Sequence, residues 1–263
     1  MTDWQDIGGS SVFVPPRPKG IVHFLGGAFV AAAPQVTYRF MLENLARQGY
    51  AIVATPFINT FDHGEIAQSV LSRFEQTLDR MRATRILRRR YLPVYGLGHS
   101  MGCKLHLLIG SLFSVERSGN ILIAFNNFPA RRSIPLMEQI APMMGSMMDV
   151  EFTPTPDETD RIVAKEYQIR RNLLIKFTRD DLDQTTGLYD VLQRRFPNMV
   201  TLQTLNGTHT TPMGQEVNWR SGNSFSPLDA VGQWMKQEMY RDLNQLGGEI
   251  ARWLDPMGGF KSK

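Results

Sequence analysis

Residues 96–102 read Gly-Leu-Gly-His-Ser-Met-Gly and carry a G-x-S-x-G pattern at Gly98, Ser100 and Gly102. The apolar approach to it, residues 91–96, reads as a strand, and Leu105, Leu108 and Ile109 place a helix directly after it. A serine on such a strand-to-helix turn is held in a strained backbone with its hydroxyl exposed. Its second neighbours must lack side chains so that the chains can pass. The following helix also aims its first N–H groups at any oxyanion forming on the serine. That is the chemistry of an acyl-accepting nucleophile, which needs a base, an acid to orient the base, and two oxyanion donors.

Five histidines compete for the role of base: His23, His63, His99, His106 and His209. When the order along the chain is nucleophile, acid, base, the base follows the last strand. Only His209, in Leu205-Asn206-Gly207-Thr208-His209-Thr210, does so. His99 flanks the serine and should point away from it, His106 lies inside the following helix, His23 in a strand and His63 in an early loop. The acid belongs after the preceding strand, residues 172–177, where Asp180, Asp181 and Asp183 stand close together. The usual spacing of three residues past the strand ranks Asp180 first, Asp183 second and Asp181 third, with the others solvated or capping a helix. After the fourth predicted strand the chain reads Asn126-Asn127, so that alternative position offers no carboxylate. The Met101 N–H, next to the serine, is one oxyanion donor. The glycine pair in Leu25-Gly26-Gly27-Ala28-Phe29 allows close backbone approach for a second, from Gly27 or Ala28.

These residues need a frame. Apolar runs at 20–25, 50–55, 91–96, 120–125, 172–177 and 199–205 predict six strands. Between them run helical stripes: Tyr38, Met41, Leu42 and Leu45, ended by Gly49, and Ile66, Val70, Phe74, Leu78 and Met81. Two further helical patterns follow, around Val231, Trp234 and Met235, and at Leu243, Leu246, Ile250 and Trp253. Gly247-Gly248 weakens the latter by ~1 kcal/mol per glycine. Near-continuous apolar strands alternating with amphipathic helices predict an α/β fold with a mostly parallel central sheet and helices on both faces. A single domain over 20–255 is expected, with 1–19 as an extension or first strands and 256–263 as a tail. Residues 126–171 are too long for an ordinary connection and read as a small helical insert. The insert holds Met137, Met143, Met144, Met147 and Met148, five of the chain's 14 methionines. Such adaptable side chains suit a lid over an apolar pocket and equally a helical excursion against the core.

The 263 residues are 42% hydrophobic and 21% charged, which excludes a disordered or collagen-like chain. One cysteine excludes an internal disulfide framework and a cysteine-built zinc site. No apolar run approaches the ~20 residues of a membrane-spanning helix, and residues 1–19 lack a secretory core, so a cytoplasmic setting is expected. The formal net charge of +4 is too mild to argue for nucleic acid. Arg82, Arg85, Arg88, Arg89 and Arg90 read as the end of a solvated helix, or as a peripheral contact with an anionic or membrane surface.

Together the Gly-Gly loop at 26–27, the turn at 98–102, an acid near 180 and His209 resemble the α/β-hydrolase superfamily over roughly residues 20–255. The phrases Val22-His23-Phe24-Leu25-Gly26-Gly27-Ala28-Phe29, Phe125-Asn126-Asn127-Phe128-Pro129 and Gly207-Thr208-His209-Thr210-Thr211-Pro212 are similar to an uncharacterised branch from cyanobacteria and plastids, a domain of unknown function. The Asp-Asp-Leu-Asp cluster departs from the single acid usual in the superfamily. The resemblance implies a cytoplasmic or plastid-type hydrolase-like protein; the residues themselves predict a carboxylic ester hydrolase with Ser100, His209 and Asp180 (or else Asp183 or Asp181) as its catalytic residues. Phe29, Phe57, Phe61, Met143 and Met147 would line a pocket that favours an apolar, lipid-like small-molecule ester over a charged one. No cofactor or metal is implied. The competing expectations are a non-catalytic protein of the same fold that binds a lipid or pigment or acts in assembly, an acyltransferase, and lyase or haloperoxidase chemistry on the same residues.

Overall fold

The computed structural model describes residues 3–28, 30–89, 91–130, 151–214 and 227–256, with the backbone alone for 227–238. Among these residues one sheet contains β1 (Gln5–Ile7), β2 (Ser10–Phe13), β3 (Gly20–Leu25), β4 (Tyr50–Ala54), β5 (Val94–His99), β6 (Gly119–Ile123), β7 (Asn172–Arg179) and β8 (Val200–Thr208). The strands lie in the order β1-β2-β4-β3-β5-β6-β7-β8. β2 is antiparallel to both β1 and β4, and all pairs from β4 to β8 are parallel. Both antiparallel strands come from residues 1–19.

The α-helices among the described residues are α1 (Pro34–Thr37), α2 (Arg39–Arg47), α3 (His63–Ala83), α4 (Met101–Leu112), α5 (Pro156–Glu166), α6 (Thr185–Arg195) and α7 (Pro227–Leu254). Alternation along each strand decides which helices it meets. Val22, Phe24, Ile52, Leu97, Ile121 and Ile175 face Met41, Leu42 and Leu45 of α2 and Leu246, Ile250 and Leu254 of α7. On the other face Ile21, Ala51 and Val53 meet Phe74, Leu78 and Met81 of α3. Leu122 and Leu174 meet Leu107 of α4, Val163 of α5 and Leu188 and Leu192 of α6. A fully buried leucine of this kind contributes ~2 kcal/mol over an exposed one. No helix among the described residues is long and apolar enough to cross a membrane.

Two expected elements are displaced. The third predicted strand, 91–96, forms three residues later, at Val94–His99. Pro93 has no N–H for the ladder, although its carbonyl accepts from the Ile21 N–H at 2.8 Å, and Tyr91 is exposed. The two C-terminal helical patterns are one 28-residue helix running through Gly247-Gly248. The buried Leu243, Leu246, Ile250 and Leu254 offset the glycines' cost. Within the insert, α5 begins at a capping box between Thr155 and Glu158. The methionines from Met137 to Met148 lie outside the described residues.

Candidate active site

The site sits at the carboxyl ends of the parallel strands, where an open α/β sheet presents its crevice. Each of β3, β5, β6, β7 and β8 runs out into a loop that contributes to it. At the end of β5, Ser100 adopts φ 55° and ψ −120°, the left-handed half of the map that a side chain disfavours. Two backbone hydrogen bonds hold it there: Ser100 N–H donates to the Ile123 carbonyl at 2.9 Å, and its own carbonyl accepts from Cys103 N–H at 3.0 Å. The flanking glycines meet the steric demand read from the sequence. A Cβ on Gly98 would lie 2.6 Å from the Gly102 carbonyl, and one on Gly102 would lie 2.0 Å from the Leu25 carbonyl oxygen.

Ser100, His209 and Asp180 form one hydrogen-bonded chain. Asp180 follows β7 directly, and its side chain is fully buried. Its Oδ1 accepts from the Leu182 N–H at 2.9 Å and its Oδ2 from His209 Nδ1–H at 2.8 Å. A carboxylate only accepts, so the proton belongs on Nδ1, and Nε2 presents its lone pair to the Ser100 hydroxyl at 3.0 Å. His209 is delivered by a turn in which Gly207 takes φ 137° and Thr211 Oγ1 accepts from Thr208 N–H at 2.8 Å. The other two aspartates stay apart. Asp183 accepts from the Thr185 N–H and hydroxyl at 3.1 and 2.7 Å and so caps the entry to α6, and burial pushes its carboxyl above the usual range. Asp181 is exposed in the turn.

His99 turns away from the serine and ties two loops together. Its Nε2–H donates to the His209 carbonyl at 2.9 Å, and its Nδ1 accepts from the Tyr38 hydroxyl at 2.8 Å. The carbonyl fixes the tautomer, and burial, helped by His209, lowers the ring pKa to about 3, which keeps it neutral. Tyr38 Oη in turn accepts the Gly27 N–H at 2.9 Å. Of the two second donors left open by the sequence, Gly27 is therefore engaged. Neither the Ala28 N–H nor the Met101 N–H meets an acceptor among the described residues, and no side chain caps α4. The loop is close enough to serve: a Cβ on Gly27 would lie 3.6 Å from Ser100 Cβ.

A cavity of about 290 Å³ opens on this chain. Its apolar walls are Val30, Phe128, Phe152, Leu182 and Met213, and Asn59, His63, Lys104 and Asn127 form a polar part. Of the expected lining residues, Phe57 is buried beside Ile66 and Val70 instead, and Phe61 lies half-exposed against Phe152 with ring centroids 6.0 Å apart. Neither lines the cavity. Phe29, Met143 and Met147 lie outside the described residues.

Several residues of the site escape the sequence reading. Tyr38 stands in it as one apolar position of a helical stripe. Asn126, seen only as a missing carboxylate, donates from Nδ2 to Ser100 Oγ at 3.2 Å. It is aimed there by Ala124, whose φ of 51° turns the chain at the end of β6. Lys104 carried a readable signal, the sole charge in α4 (Met-Gly-Cys-Lys-Leu-His-Leu-Leu-Ile-Gly-Ser-Leu).

Solved structures with the same architecture include carboxyl esterase 2 from the mycorrhizal fungus Tuber melanosporum (15% identity, TM-score 0.55, 90% of this chain and 87% of that one). A soluble variant of monoglyceride lipase from Saccharomyces cerevisiae, in complex with a substrate analog, is 14% identical at a TM-score of 0.54, over 92% and 95% of the two chains. A fluorophosphonate-binding serine hydrolase, F, from Staphylococcus aureus gives 15% and 0.54, over 86% and 91%. These likenesses show the α/β-hydrolase fold. No curated protein sequence matches the chain. The sequence does match, over residues 3–256, the family described as Protein of unknown function (DUF1350), and the chain belongs to that family.

Proposed function

We propose that this chain is a serine hydrolase that cleaves a small-molecule ester with an apolar moiety. The observation that carries the proposal is the hydrogen-bonded chain Ser100–His209–Asp180, with its 3.0 and 2.8 Å contacts, at the mouth of a cavity with apolar walls. That the similar structures include a carboxyl esterase and a monoglyceride lipase supports the same chemistry.

In this reading Ser100 Oγ attacks the ester carbonyl as His209 Nε2 takes its proton. Asp180 holds the imidazole in the tautomer that makes Nε2 the acceptor and stabilises the imidazolium that forms. The Met101 and Ala28 N–H groups receive the tetrahedral oxyanion, each worth ~3 kcal/mol to the barrier. His209 then protonates the leaving alcohol, and water repeats the sequence on the acyl-enzyme. Asn126 donates to Ser100 Oγ and restrains its rotamer in the resting protein.

The test is labelling by a fluorophosphonate probe, together with hydrolysis of 4-nitrophenyl butyrate. Wild type should label and turn over, and Ser100→Ala should do neither. Equal labelling of the two proteins, or none of either, overturns the proposal. An added alcohol that captures the acyl group in preference to water would reassign the chain as an acyltransferase.

A further inference from the structure

We infer that the polar part of the cavity binds an anionic oxygen group, a carboxylate or a phosphate, carried by the substrate, with Lys104 as the cation that receives it. The inference rests on the hydrolase reading for the word substrate, and on geometry alone for the binding site. Lys104 lies four residues after Ser100. Ser100 immediately precedes α4 and Lys104 is the fourth residue of that helix, and both reach the same cavity. Lys104 is 2% exposed.

A buried ammonium is costly unless it is paired. Lys104 Nζ donates to the Pro154 carbonyl at 3.2 Å and lies 5.7 Å from the centre of the Phe152 ring, but it makes no ion pair among the described residues. The nearest carboxylates are occupied elsewhere. Asp160 accepts from Asn127 Nδ2 at 3.0 Å, and Glu151 from the Ala130 and Phe152 N–H groups at 2.8 Å. Among the described residues, two of the ammonium's three donors are thus left for a ligand.

His63 makes the same point independently. It is 3% exposed, stacks on Phe152 with ring centroids 4.2 Å apart, and lines the cavity, yet neither ring nitrogen has a hydrogen-bond partner among the described residues. Asn59 Oδ1 and Asn127 Oδ1, which line the same cavity, also have no partner among the described residues; as acceptors they suit an N–H or hydroxyl elsewhere on the ligand and not its anionic oxygens. The His106 nitrogens are unpaired among these residues too, but they lie away from any part of this cavity, whereas the His63 nitrogens border a space with room for a group that completes their bonding. A cation with free donors and a neutral imidazole with one N–H suit the oxygens of an anion. The phenyl and aliphatic walls suit the chain that joins that anion to the ester.

Calorimetry on the Ser100→Ala protein tests the site without turnover, using glutarate, inorganic phosphate and the neutral diamide of glutaric acid at matched ionic strength. Glutarate or phosphate should bind saturably, the diamide should not, and the stronger anion identifies the source. Adding Lys104→Met should weaken that binding at least tenfold. If that protein does not fold, His63→Phe, which keeps the ring stacking, should weaken it at least threefold. Among wild-type substrates, the kcat/KM of mono-4-nitrophenyl glutarate relative to 4-nitrophenyl butyrate should fall tenfold on Lys104→Met. Absence of anion binding, or binding indifferent to the substitutions, overturns the inference even where Ser100 labels. Anion binding by a protein whose Ser100 does not label overturns the hydrolase reading and leaves the site standing.

Discussion

Replacing Lys104 with methionine should make the protein more stable at neutral pH. Burial lowers the ammonium's pKa from 10.5 to about 8, partly opposed by the Glu151 and Asp160 carboxylates. Each pH unit of that fall is ~1.4 kcal/mol, so the folded chain carries the cation at a cost of ~3 kcal/mol. Methionine has nearly the same length and removes the charge, but it also gives up the bond to the Pro154 carbonyl, worth ~1 kcal/mol. The net gain is ~2 kcal/mol, or ~4–8 °C in Tm for a chain of this size. Its pH dependence has a fixed sign. Below pH 8 folded and unfolded chains both hold the proton and the cost is present in full. Between pH 8 and 10.5 the folded chain releases a proton that the unfolded chain keeps, so wild-type stability rises towards that of the variant. Among the described residues the other titratable groups facing the ammonium are Glu151, Asp160 and His63. Burial lowers the His63 pKa to about 3, so that ring is neutral across this range. Thermal melts of both proteins at pH 7 and pH 10 measure the difference, which should be largest at pH 7 and close to zero at pH 10. A variant less stable than wild type at pH 7, or a difference equal at both pH values, would refute the reasoning and make Lys104 a structural hydrogen-bond donor.

Other outcomes follow from the same contacts. Asp180→Asn should leave the fold intact and lower kcat by ~10³–10⁴, because an amide can donate to Nδ1 and so favours the wrong tautomer of His209. Steady-state kinetics with 4-nitrophenyl butyrate measure it. Tyr38→Phe strands the Gly27 N–H and His99 Nδ1, each a buried group costing ~1–3 kcal/mol when unpaired. Denaturant melts should show that loss, and kcat should fall by a larger factor than KM changes. Gly102→Ala should not yield folded protein, since its Cβ would lie 2.0 Å from the Leu25 carbonyl oxygen, and soluble expression reads this directly. Cys103 is fully buried, its thiol pKa is raised by burial, and its Sγ lies 3.2 Å from the Gly98 and Ile123 carbonyl oxygens. Iodoacetamide should therefore label it in urea and not in the native protein.

What was legible in the sequence was whatever a local rule enforces. The turn at Ser100 could be read because two missing side chains have one steric reason, and β3 could be read because Gly20–Leu25 is an apolar run that both faces of the sheet demand. The choice of Asp180 over Asp183 was legible only as a spacing preference. In the structure Asp180 meets His209, while a competing local bond turns Asp183 to Thr185. Tyr38 and Asn126 were not legible in these roles. The Tyr38 hydroxyl meets His99, 61 residues away, and Asn126 meets Ser100, 26 residues away, through loop geometry that no periodicity encodes. The same is true of Phe57, whose aromatic type suits a pocket wall as well as a core.

The placement of Lys104 and His63 gains meaning from what surrounds them. Buried imidazoles alone do not mark a site: His23 and His106 are buried as deeply beside Arg117, and neither lines the cavity. Nor does a positive φ alone, since Arg85 and Asn198 adopt it in exposed turns where it costs little. At the ends of β5 and β6 the departures coincide. Ser100 and Ala124 are both strained on adjacent strands, an ammonium is buried one helical turn further on, and an imidazole without partners faces the same space. Elsewhere two helices begin on capping residues, Asp62 at α3 and the Thr155 capping box at α5. Several unfavourable arrangements thus gather at one end of the sheet, and stability alone gives no reason to keep them together there.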